Sequence, residues 1–253
     1  MMINRIQTIL FYILLLALWQ LIFKLAIWPD FLFPSPKSVV DTFRLGLADG
    51  SLLIGISTSM LRVAKGYLIA FSIGLPIGVL IARINIVKNT VGTLISGLQP
   101  LPSICWLPLA VLWIGLNEKA IIFIVLIGAT FSIATATEAG VRNVPPIFIR
   151  AARTMGTKGW RIYTDILFPA ALPSIITGMK LAWAFAWRAL MAGELLSSGV
   201  GLGQILITGR DLNDMSMVIA VMIIIAALGQ LIDRLIFSMV ENKVRKRWGL
   251  DRA

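Results

Sequence analysis

The run Pro145-Pro-Ile-Phe-Ile-Arg150-Ala-Ala-Arg-Thr-Met-Gly156, followed by Gly159-Trp160 and closing on Ile166-Leu-Phe-Pro169, decides how the chain is read. Proline is tolerated in a helix's first turn, and glycine favours the left-handed residue just past its end, so Pro146 and Gly156 bracket a short helix. Inside it, Ile147, Phe148, Ala151, Ala152 and Met155 recur at helical spacing on one face, while Arg150 and Arg153 project from another. A second helix is expected to begin at Trp160 and run toward Pro169. On periodicity alone two readings of the amphipathic helix stay open. It lies in a membrane interface with its arginines on lipid phosphate, or it offers a surface to a protein partner.

On either side of this stretch the chain is apolar. Of 253 residues 58% are hydrophobic and 14% charged, with a mean hydropathy of +0.89, too apolar for an ordinary water-soluble domain. A span of the bilayer core takes about 20 helical residues. Six windows of that size emerge, roughly 8–28, 56–82, 90–116, 119–137, 167–193 and 215–232. The first is longer than the apolar core of a secretory signal and lacks a small-residue cleavage site, so it is expected to be a retained span. Pro100, Pro102 and Pro108 interrupt the third, and the second carries Gly74-Leu-Pro-Ile-Gly78. Such breaks survive in lipid only where neighbouring helices or a wet cavity satisfy the backbone, which places both spans facing the protein interior. The Gly-x-x-x-Gly spacing itself is read as close helix packing. No repeat and no appended soluble domain interrupts the pattern, so a single membrane domain is expected over 1–253, with its longest polar connection at about 138–166.

Charge sets an orientation. The formal charge is +11, from 23 Lys and Arg against 12 Asp and Glu. Fourteen of the basic residues fall before the first span and in alternate connections, including Arg5, Arg83, Lys88, Arg142, Arg150, Arg153, Lys158, Arg161 and a last group running from Arg234 to Arg252. Five (Lys24, Lys37, Arg44, Lys119 and Arg210) fall on the other side. By the positive-inside rule both termini are then cytoplasmic, which requires an even number of spans and agrees with six. Cations spread between apolar runs are no nucleic-acid face, and no nucleic-acid partner is expected. There is no histidine and only one cysteine, Cys105, so a Ser-His-Asp triad, a disulfide within the chain and a zinc knuckle are excluded, and no metal or cofactor is expected.

Four cations remain inside spans: Arg62, Lys65, Lys180 and Arg188. A charge at the bilayer centre costs at least ~2.5 kcal/mol on insertion scales, so such residues face a protein interior or a wet cavity. Without matching buried acids they bias a pathway toward anions. Arg188 is the leading candidate, with Arg62 either in the pathway or held on backbone carbonyls, and the two lysines reaching for the interfaces. Glu194 lies six residues beyond Arg188, about 120° off its face, so the two are not expected to pair along one helix. Glu194 pairs with another span or with a symmetry mate, or meets a partner outside, and it is counted with Arg62 and Arg188 among the candidates for the pathway. Trp106 and Trp113, seven residues apart, lie on nearly one stripe and either pack against neighbouring helices or line the pathway.

The residues also carry a resemblance. Arg150-Ala151-Ala152, three residues, Gly156, nine residues and Ile166-Leu167-Phe168-Pro169 resemble the EAA loop of ABC-importer membrane subunits, with Arg150 where the glutamate usually stands and Phe168 where the leucine does. Phe33-Pro-Ser-Pro36, Ser59-Met-Leu-Arg-Val63 with Gly66, Pro100-Leu-Pro102, Trp106-Leu-Pro-Leu109, Trp113-Ile-Gly115, Glu194-Leu-Leu196 and Gly201-Leu-Gly203 follow in order. Together they resemble the permeases of the nitrate, sulfonate, taurine and bicarbonate importer group. The resemblance implies an all-α, six-span type I importer permease in the inner or plasma membrane of a bacterial cell. It further implies a homodimer bound to two cytoplasmic ATPase subunits through the loop that carries Arg150, Ala151, Ala152, Arg153, Gly156 and Pro169, and an extracytoplasmic binding protein delivering a small anion. The chain is expected to be no enzyme itself: no G-x-x-x-x-G-K-[ST] occurs in it, so ATP is bound by the partner. A self-sufficient secondary transporter or channel is the alternative, but Glu138, Asp165, Glu194 and Asp233 all fall at span ends, leaving no mid-span acid for ion coupling. An intramembrane enzyme lacks a paired carboxylate or ligand cluster.

Overall fold

A computed structural model describes residues 2–197 and 199–247, and every regular element among them is helical. In chain order the α-helices are α1 (Met2–Lys24), α2 (Pro36–Ala48), α3 (Ser51–Arg83), α4 (Asn85–Val87), α5 (Thr93–Leu98), α6 (Leu107–Ile114), α7 (Glu118–Arg142), α8 (Pro146–Thr154), α9 (Phe168–Leu195), α10 (Leu202–Asp211), α11 (Met215–Ile232) and α12 (Met239–Arg247). They gather into two compact units, one drawn from the chain up to Ser59 and from the stretch ending at Ala227, the other from Met60–Ser197 and from Leu228 onward. Arg252, counted above with the basic residues, lies outside the described residues.

Among the described residues five helical stretches are long and apolar enough to cross a membrane: Ile6–Lys24, Ser51–Arg83, Glu118–Arg142, Ile162–Leu195 and Met215–Val244. A sixth crossing exists only if Asn85–Leu98 and Ser103–Ile114, bent by 102°, are taken as one span. The third window is therefore not one straight helix. Pro100 and Pro102 offer no N–H, so the ladder stops at Leu98 and resumes as a 3-10 turn at Ser103–Trp106 before α6. The second window departs from expectation in the opposite sense, because α3 runs unbroken through Pro76. Gly74 and Gly78 serve packing: a Cβ on Gly74 would sit 2.9 Å from the Thr130 carbonyl oxygen, and one on Gly78 would collide with the Ala134 carbonyl, both on α7.

In the smaller unit, the Trp19 indole donates to the Pro34 carbonyl at 3.0 Å, and Ser35 caps α2 by accepting the Ser38 N–H. The Ser51 hydroxyl and its N–H, 2.8 Å from Asp49 Oδ1, hold the Asp49 carboxyl below its ordinary range where α3 begins. Ser59 accepts the Leu202 N–H at 2.9 Å and so ties α10 to α3.

The larger unit is built on α7 and α9, which pack along their lengths. Ile121, Ile124, Val125, Ile133, Ile175 and Leu190 are fully buried there. Gly178 of α9 lies where any Cβ would collide with Ala136, so these helices approach closely. Tyr67, Trp183, Trp187 and Phe237 form an aromatic cluster, with the Tyr67 hydroxyl donating to the Met179 carbonyl at 2.7 Å.

Candidate functional site

The helix between Pro146 and Gly156 forms as α8. Pro146 occupies its first turn, where a missing N–H costs nothing. At its end the Thr157 N–H donates to the Ala152 carbonyl at 2.9 Å and the Gly156 N–H to the Arg153 carbonyl at 3.0 Å, with Gly156 at φ +86°. That pair of bonds requires a left-handed residue at the turn, which glycine supplies without a Cβ penalty.

The apolar residues of α8 do not share one environment, which corrects the single face expected for them. Ala152 is completely buried, and Ile149 packs against a cluster of Val141, Val144, Leu167, Ala171 and Ile175. Ile147, Phe148 and Met155 remain 57%, 49% and 76% exposed, and Ala151 is exposed beside them. A helix of nine residues seats itself on the core with one i, i+3 pair and leaves its other side out. Arg150 and Arg153 are exposed, and neither meets a carboxylate among the described residues.

Beyond α8 the expected second helix is a π-helical turn, Ile162–Leu167, that runs directly into α9. Pro169 therefore sits inside the first turn of α9, within the continuous helical stretch Ile162–Leu195. The Phe168 N–H reaches back five residues to the Tyr163 carbonyl, so the ladder widens just before the residue that has no N–H to give.

Within the same unit a cleft of about 430 Å³ opens beside the proline break, lined by Pro102, Ser103, Phe131, Ser132, Phe185 and Arg188 among others. Arg188 is exposed; its Nε donates to the Ala184 carbonyl at 3.1 Å, and its guanidinium stands 4.8 Å from the centre of the Phe185 ring.

The remaining span cations do have acids, contrary to the expectation that none would match. Arg62 Nη1 lies 2.9 Å from Glu194 Oε1, with both side chains buried. Lys65 lies 3.3 Å from Glu118 and Lys180 3.1 Å from Asp233. Among the described residues Arg188 is thus the span cation without a carboxylate. Neither Arg62 nor Glu194 lines the cleft. Trp106 stands edge-on to Phe131, one of the cleft's walls, at 6.4 Å, whereas Trp113 is 65% exposed and packs on Phe123. The two tryptophans do not share a helix, because Trp106 closes the 3-10 turn and Trp113 belongs to α6.

Ser103, Ser132 and Phe185 were not singled out in the sequence. Phe185 could have been: it sits three residues before Arg188, within reach on one helix face. The acid partners of Lys65 and Lys180 were not legible in the sequence, which sent both lysines to the interfaces.

Residues 74–246 match the family described as binding-protein-dependent transport system inner membrane component. Among curated relatives, a putative ABC transporter permease protein of Methanocaldococcus jannaschii is 37% identical over 226 residues, 87% of this chain and 84% of its own length. The putative aliphatic sulfonates transport permease protein of Bacillus subtilis is 30% identical, covering 92% of this chain and 84% of that protein. The nitrate import permease protein of Leptolyngbya laminosa is also 30% identical, covering 92% and 85%. In fold, the chain resembles a subunit of the inward-facing MetNI methionine ABC transporter, with a TM-score of 0.68 and 22% identity over 78% of this chain and 97% of that one.

Proposed function

We propose, for a chain that belongs to the family of binding-protein-dependent transport system inner membrane components, a specific role: a permease subunit that admits a small anion, driven by a separate ATPase that docks on α8. The observation that carries the coupling is the division of α8 into an inner pair, Ile149 and Ala152, fixed to the core, and an outer set, Ile147, Phe148, Ala151 and Met155, left exposed. A rigid attachment on one side and an unpartnered apolar side on the other suit an element that transmits a push from a neighbouring protein to α7 and α9. Arg150 and Arg153 beside it favour an acidic rim on that partner. The Gly156 turn and Pro169 keep α8 at a fixed place relative to the start of α9.

The anion class is supported by Arg188, whose guanidinium lines a cleft with no carboxylate partner among the described residues, and by relatives named for sulfonate and nitrate. An aliphatic sulfonate or taurine is the first choice, with nitrate or bicarbonate next. Two copies of this chain, two ATPase subunits and an extracytoplasmic binding protein make up the transporter. Arg62 and Glu194 then act as a buried brace, and Trp106 shapes the wall behind Phe131.

Uptake into liposomes holding the whole transporter tests the reading. ATP-dependent sulfonate uptake is expected, falling at least about tenfold in Arg188→Met, the loss of one hydrogen bond to a charged group, with assembly on the ATPase intact. Solute movement by this chain alone, or unchanged uptake in the variant, overturns it.

A further inference from the structure

A second recess lies away from Arg188. It has a volume of about 750 Å³ and is walled by the last turns of α3 and by the start of α9 with its π-helical turn. Leu75, Pro76, Val79, Leu80, Leu167 and Phe168 make its interior apolar. Its rim is of another kind. The Arg83 guanidinium stands 5.0 Å from the centre of the Tyr163 ring, and Tyr163 stacks on Trp160 at 5.7 Å and 25°. Trp160 is 75% exposed, and Arg83 is exposed with no carboxylate in ion-pair distance among the described residues.

This combination falls at the ends of two membrane-spanning stretches, Ser51–Arg83 and Ile162–Leu195, where hydrocarbon gives way to headgroups. Tryptophan and tyrosine favour that depth, because each has an apolar body and a polar tip. A cation there is attracted to anionic lipid by about 1 kcal/mol. The recess is large enough for an organic ligand, since small-molecule sites measure ~300–1,000 Å³. An apolar interior with one unneutralised cation and two stacked aromatics at its mouth matches a ligand with a hydrocarbon tail and an anionic head.

We infer that this recess binds one anionic phospholipid, its acyl chain along Leu75, Val79, Leu80 and Leu167 and its phosphate on Arg83. The site is independent of which solute is carried. Because Trp160 and Tyr163 belong to the segment that follows α8, the bound lipid braces that segment against α3.

Native mass spectrometry of the intact transporter in detergent, titrated with phosphatidylglycerol or phosphatidylcholine, tests the site. Phosphatidylglycerol is expected to be retained about fivefold more tightly. Arg83→Gln should abolish that preference, while Leu80→Trp, which fills the recess, should weaken retention of both lipids. Leu80 and Arg83 are both exposed, so neither change opens the core. Hydrogen exchange localises the effect: phosphatidylglycerol should slow exchange at 160–168 in the wild type and not in Leu80→Trp. Retention and exchange indifferent to both variants overturn the assignment. So does full competition by glycerol phosphate, which would mean an anion site without a tail, and so does lipid held by this chain when stripped of the ATPase but absent from the intact transporter, which would give the recess to the ATPase.

Discussion

Arg62 and Glu194 stand 132 residues apart in the chain and 2.9 Å apart in space, both buried. Removing one partner of such a pair strands a charge in a low-dielectric interior, at a cost of about 3–5 kcal/mol, whereas replacing both by apolar residues of similar size is often neutral. Glu194→Gln alone should therefore lower the unfolding temperature in detergent by several degrees, and Arg62→Met combined with Glu194→Leu should recover most of the loss. A double variant losing the sum of the two single changes would deny the pairing. Arg188→Met, at an exposed position, should leave the same unfolding temperature unmoved. Each of these residues was visible in the sequence as a charge in or at the end of a span, because an apolar background makes any charge conspicuous. Their partners were not visible: helical periodicity relates residues a few positions apart and carries no information about which span neighbours which.

At the scale of one element, α8 was the most legible part of the chain, since proline, glycine and spacing each act locally. What spacing could not say is which apolar residues face inward, because a nine-residue helix offers apolar atoms on more than half its circumference and the core selects among them. Adjacent residues now separate the two sides. Ala152 has no exposure, so Ala152→Glu forces a carboxylate into a fully buried position and should displace α8, reducing both thermal stability and retention of the ATPase. Ala151→Glu adds the same side chain on the exposed side. It should leave the unfolding temperature as it is and reduce ATPase retention on co-purification. Full retention and normal uptake with Ala151→Glu would remove the outer side of α8 from the docking surface. The π-helical turn after α8 was outside the reach of sequence reasoning, because Pro169 announces a missing N–H but not whether the ladder stops or widens around it.

For the whole molecule, the approximate places of the spans were legible because bilayer thickness dictates their length, but the last helical stretch runs on to Val244, well past the window ending at 232, and the third window is a bent pair. The bend of 102° was not legible, since Pro100 and Pro102 predict a break without its angle. That angle bears on topology. Only α3 and the bent pair lie between Lys37 and Lys119, so the two lysines share a side of the membrane if the pair crosses and take opposite sides if it turns back. The distribution of Lys and Arg favours crossing, with both lysines outside and Lys158 inside. Cys105 is exposed, so Cys105→Ser provides a thiol-free background without disturbing the core. On that background Lys37→Cys and Lys119→Cys should react with a membrane-impermeant maleimide on intact cells, and Lys158→Cys only after permeabilisation. Labelling of Lys37→Cys from outside with Lys119→Cys protected would mean that the pair re-enters. The cleft at Arg188 would then be open to one side of the membrane through the turn at Ser103–Trp106, and the chain would cross five times with its ends on opposite faces.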